Sequence, residues 1–62
     1  MTYNVYTHDG SHVDLVDKFD TIFEALGCFY ESIIDGYENY FEGIELATET
    51  DDEIESIEYV EL

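Results

Sequence analysis

Between Thr21 and Tyr40 four carboxylates, Glu24, Glu31, Asp35 and Glu38, recur at spacings of seven, four and three residues. On a helix those spacings place all four on one side, with Asp35 about 5–6 Å from both Glu31 and Glu38, where like charges repel by a few tenths of a kcal/mol per pair. No Lys or Arg interleaves to relieve them, whereas a merely solvated helix face normally alternates sign. Glu42 and Glu45, the run Glu49, Asp51, Asp52 and Glu53, and then Glu55, Glu58 and Glu61 continue the series, and no basic residue follows Lys18. Acids two apart on a strand share a face at roughly 6.8 Å, of the same order as successive phosphates on one nucleic-acid strand. The chemistry these residues offer is that of a polyanion shaped by a fold, able to stand where a phosphate backbone would stand.

The bulk charge agrees. Seventeen Asp and Glu against one Lys give a formal charge of −16 over 62 residues. A chain of this length folds to a globule roughly 27 Å across, and duplex DNA of that length carries about sixteen charges at one per about 1.7 Å. Such an imbalance destabilises the compact state by self-repulsion, which points to a selected role for the acids.

Other chemistry finds little support. His8 and His12 flank an Asp-Gly turn with Asp9 and Asp14 nearby, but turn histidines are ordinary surface residues, and no metal site is expected. The Asp51-Asp52-Glu53 run lacks the spaced ligands and central glycine of a calcium loop. Cys28 has apolar and acidic neighbours that disfavour a thiolate, and as a lone cysteine it forms no internal disulfide. No catalytic residue and no cofactor is expected, and the reading is of a non-enzyme. A single Lys cannot displace the counterions of a nucleic acid, so direct nucleic-acid binding is excluded. No apolar run approaches the ~20 residues of a membrane span, and no leader-like segment precedes the fold; a cytoplasmic location is expected.

The elements that must hold the acids follow from pattern. Tyr3 to Thr7 reads as a strand, His8 to Ser11 as a turn and His12 to Val16 as its returning strand, with Val13 and Leu15 on one face. Thr21-Ile22-Phe23-Glu24 has the form of a capping box opening a helix. Ile22, Leu26, Phe29, Ile33 and Tyr37, joined by Phe23, Tyr30 and Ile34, draw a wide apolar stripe read as core, and Gly36 is its expected C-terminal cap. Gly27 reads as a point of close approach to the sheet. After a connection at Tyr37 to Tyr40, Gly43 to Thr48 alternates like a strand, Glu49 to Glu53 is a polar turn, and Ile54 to Leu62 reads as a bulged strand. The expectation is one α+β domain over 1–62, ordered ββαββ, with one helix on a four-stranded, mostly antiparallel sheet. The other sheet face, with Tyr6 and Tyr59, is left for solvent, a partner or a second copy, so the chain is a monomer or a homodimer.

Small size, a single basic residue, a helical ridge of acids and glutamate-bearing strands together resemble the phage-encoded DNA mimics, a group that includes anti-CRISPR proteins, anti-restriction proteins and uracil-DNA glycosylase inhibitors. The anti-CRISPR class is the closest in size and tyrosine content. The resemblance implies a viral counter-defence inhibitor that occupies the basic DNA channel of a Cas effector subunit. Glu24, Glu31, Asp35, Glu38, Glu42, Glu45, Asp51, Asp52 and Glu53 would then stand in for phosphates, with Tyr30, Tyr37 and Tyr40 as aromatic anchors. An acidic antitoxin or accessory subunit covering a basic partner is the neighbouring alternative. A salt-adapted housekeeping protein fits less well, since Glu outnumbers Asp and Ile, Tyr and Phe are plentiful.

Overall fold

In the computed structural model, which describes residues 1–62, strand β1 (Thr2–Asp9) turns through Gly10 and Ser11 into β2 (His12–Phe19). Gly10 has φ +64°, so glycine is required at the first central position of this two-residue loop, and Asp9 belongs to the strand rather than the turn. Helix α1 (Ile22–Asn39) follows, then β3 (Gly43–Thr50), the two-residue loop Asp51–Asp52, and β4 (Glu53–Glu61). The order is ββαββ as expected. All three strand pairings are antiparallel, in the spatial order β2-β1-β3-β4.

Thr21 caps the helix in extended geometry: its hydroxyl accepts from the Glu24 amide and donates to the Glu24 carboxylate at 2.9 Å. Three expectations for this helix are corrected. It does not stop at Gly36 but runs through the segment read as a connection, to Asn39, and Tyr40 supplies the left-handed cap at φ 60°. The close approach to the sheet lies at Gly36, where an added Cβ would collide with Leu62 and press on Ile44; Gly27 faces open space. The wide stripe is not all core. Ala25 and Phe29 are buried and Ile22, Leu26 and Ile33 half-buried, but Phe23, Tyr30, Ile34 and Tyr37 are exposed by 83%, 61%, 63% and 62%.

The strand limits also shift, because each outer strand carries a bulge. In β2, Asp17 pairs with Val5 and Leu15 with Tyr6, which leaves Val16 as the extra residue and extends the strand beyond Val16 to Phe19. In β4, Glu58 pairs with Leu46 and Ser56 with Ala47, so Ile57 is extra; this is the bulge that the irregular apolar spacing of Ile54 to Leu62 predicts. Glu49 and Thr50 complete β3, and Glu53 opens β4, so the polar turn shrinks to Asp51 and Asp52.

The core lies between α1 and one sheet face, where Val5, Ala25, Phe29, Ile44 and Leu46 are fully enclosed and Tyr3, Phe19, Val60 and Leu62 close the margins. The helix packs on β3, β1 and β2 and stops short of β4. The radius of gyration, 10.9 Å, is that of an ordinary close-packed chain of this length, about 10.6 Å, and no buried side-chain polar atom lacks a partner.

Candidate functional site

Paired residues of antiparallel strands share a face, so the register assigns every strand carboxylate to one side of the sheet. With Val5, Ile44 and Leu46 marking the helix side, Asp9, Asp14, Asp17, Glu53, Glu55 and Glu58 fall on that side, together with the four helix acids. Asp20, Glu42, Asp51 and Asp52 stand in the connections. Only Glu45, Glu49 and Glu61 lie on the open face, giving ten, four and three of the seventeen.

The single Lys lies on the open face. Lys18 Nζ lies 2.7 Å from Glu49 Oε1, which also accepts from Asn4 Nδ2 at 2.9 Å. Asn4 is completely buried in this network, accepting from the Thr2 hydroxyl and donating to the Tyr6 hydroxyl. The Lys18 ammonium holds Glu49 below the usual carboxylate range, first through the hydrogen bond, and Glu49 in turn holds Lys18 above its ordinary value. His8 Nε2 meets Glu45 Oε1 at 2.9 Å, and its ring stands edge-on to Tyr59 at 5.0 Å. The Tyr59 ring in turn lies over Gly43, where a Cβ would collide with it. The bulge at Val16 decides where Lys18 points: strict alternation from Leu15 would have turned it toward the helix side.

The helix side therefore carries ten acids and no Lys or Arg, with His12 beside Asp9 and Asp14 as its sole titratable base. Glu24, Glu31, Asp35 and Glu38 are all exposed and form a row about 21 Å long at 1.5 Å per residue. Asp17 joins them: its charge and that of Glu31 both act on Cys28, whose thiol is pushed up mainly by burial. Cys28 is half-buried with Sγ 3.9 Å from the Ser32 hydroxyl, and it keeps its proton near neutral pH. The helix also ends against its dipole, because Glu38 sits in the last turn and no basic residue does.

Among the expected phosphate stand-ins, Glu24, Glu31, Asp35 and Glu38 come together on the helix, and Glu53 lies on the same side of the sheet. Asp51 and Asp52 occupy the β3–β4 loop, and Glu42 follows the helix, its amide donating to the His8 carbonyl. Glu45 is set apart on the opposite face and held by His8. Asp14, Asp17, Glu55 and Glu58, not among the expected stand-ins, share the helix side. Alternation from His12 already placed Asp14, but the two bulges hid the other three. Tyr37 and Tyr40 line a cavity of about 330 Å³ with Gly36, Phe41, Glu42 and Leu62, and Tyr30 stands two turns earlier, its ring against Phe29 at 5.6 Å. The histidines do not converge: His8 faces the open side, whereas His12 pairs with Asp9 on the other.

The fold and this surface define a small α+β protein with its uncompensated carboxylates segregated to the helix side. Comparison with protein-family models, with curated proteins and with solved structures finds no match. No helix is long and apolar enough to cross a membrane.

Proposed function

We propose that this protein is a non-enzymatic DNA-mimic inhibitor of the anti-CRISPR type, which occupies the basic DNA-binding channel of a Cas effector in the cytoplasm and blocks target DNA. The observation that carries the reading is the segregation of charge: ten acids on the helix side face solvent without a Lys or Arg, while Lys18 is committed to Glu49 on the other face. Along the 31 Å long axis a charge of −16 amounts to one per about 1.9 Å, against about 1.7 Å for duplex DNA. Acids placed at random would cost less stability if mixed with bases, and Glu38 at the helix C-terminus is unfavourable to the helix itself.

The test is a competition experiment in which labelled duplex DNA is bound by a Cas surveillance complex, a type I restriction enzyme or uracil-DNA glycosylase, and this protein is titrated in at 50, 150 and 500 mM salt. Stoichiometric displacement from the Cas complex, weakening as salt rises, supports the proposal. Displacement from one of the other two enzymes alone moves the target within the DNA-mimic class. Failure to displace DNA from any of them at any salt refutes it.

A further inference from the structure

The exposed apolar residues of α1 have an order that the core does not require. Phe23, Tyr30, Ile34 and Tyr37 fall, with Gly27, on the 4-3-4-3 spacing of a coiled-coil seam. At about 100° per residue this seam lies about 110° around the helix from the buried Phe29, whereas the acidic row lies about 150° around the other way. Tyr37, on the seam, lines a cavity with Leu62, the residue that follows β4, so the seam faces β4 and the acidic row lies on the side away from it. There the sheet is uncovered, because the helix stops short of β4, and Glu55 and Glu58 point up from it opposite Thr48 and Leu46. The result is an apolar strip about 21 Å long with acids on both flanks: Glu24, Glu31, Asp35 and Glu38 on one, Glu55 and Glu58 on the other.

We propose that this groove grips an amphipathic α-helix of the basic partner, with apolar residues at the seam and Lys or Arg along both edges. Gly27, which leaves open space at the middle of the strip, admits a large side chain of the incoming helix, and the cavity beside Tyr37 and Tyr40 takes another at its end. A second copy of this chain is disfavoured as occupant, because either orientation would bring acidic rows together. The inference deepens the proposed function by naming the element of the partner that is held, and it predicts a grip that charge alone does not supply.

The test uses isotope-labelled protein and a synthetic three-heptad peptide with Leu at a and d and Lys at e and g. One control peptide carries Glu in place of Lys; another carries Ser in place of Leu. Expected is saturable binding of the Leu/Lys peptide that shifts the amides from Phe23 to Tyr40 and those of Glu55 and Glu58, with at least about tenfold weaker binding of the Ser/Lys peptide and none of the Leu/Glu peptide. The exposed substitutions Ile34→Ser and Phe23→Ser should each weaken the Leu/Lys peptide about tenfold while the spectrum of the free protein stays dispersed. Equal binding of the Ser/Lys peptide overturns the inference, as do shifts confined to Val13, Leu15 and Tyr59 on the open face. Shifts along 23–37 that follow the protein's own concentration would assign the groove to a second copy and overturn it too. No DNA-binding enzyme enters this titration, so it fails or succeeds independently of the competition experiment.

Discussion

Neutralising the acidic row should move stability and inhibition in opposite directions. The informative variant is Glu31→Gln with Asp35→Asn and Glu38→Gln, leaving Glu24 to serve the Thr21 cap. Glu31 and Asp35 are four residues apart and Asp35 and Glu38 three, so two repulsive contacts disappear, each of about 0.2–0.5 kcal/mol. Removing Glu38 from the negative end of the helix dipole adds about 0.3–1 kcal/mol. Together they stabilise the fold by about 1 kcal/mol, which for a domain of this size raises Tm by about 4–8 °C in a circular dichroism melt. If each carboxylate meets a cation in the partner's channel at about 1 kcal/mol, the same variant loses about 3 kcal/mol of affinity, or roughly 100-fold in the DNA competition at low salt. Glu61→Gln, on the open face, should leave competition within about twofold. A more stable variant that competes as well as the wild type would show that the row is not the contact surface. A lower Tm would show that the row does not repel.

Three further outcomes follow from the packing and the one ion pair. Gly27→Ala should raise stability by about 1 kcal/mol, because the site is helical with open space around the new methyl; a lower Tm would restore the close approach that the sequence suggests. Gly43→Ala should cost about 1–3 kcal/mol in chemical denaturation, since the methyl collides with the Tyr59 ring and displaces it from His8; a change below about 0.5 kcal/mol, taken as the midpoint shift multiplied by m, would contradict this packing. For Lys18→Met, the sign follows from both partners. Glu49 is held low, so its stabilisation is present above its unfolded pKa and lost as pH falls through the folded value; Lys18 is held high, so its share is present below its unfolded pKa and lost as pH rises through the folded value. The stability difference between wild type and variant should therefore be flat from about pH 5 to about pH 10 and shrink on either side, and a difference that is constant across the whole range would rule the pair out as its source.

Much of this was legible in the chain. Thr21 and Glu24 announce the helix start, Asp9-Gly10 the first hairpin, and the spacing of Glu24, Glu31, Asp35 and Glu38 puts them on one side of any helix that forms. These are local signals, carried by residues a turn or two apart. The charge of −16 is composition alone, and so is the expectation that the chain does not bind nucleic acid directly.

What the chain left open depends on partners far away in sequence. Whether Phe23, Tyr30, Ile34 and Tyr37 are core or surface turns on how far one helix can cover a four-stranded sheet, and α1 lies over β3, β1 and β2 while most of β4 stays exposed. Gly36 rather than Gly27 is the close approach because Leu62 and Ile44 arrive beneath it from the other end of the chain. Above all, a bulge adds one residue and so exchanges the two faces of everything beyond it. The extra Val16 and Ile57 exist only relative to Val5, Tyr6, Leu46 and Ala47 on the neighbouring strands. Through them tertiary pairing turned Lys18 to the open face, Asp17 and Glu58 to the helix side, and an acidic sequence into a molecule with one unneutralised side.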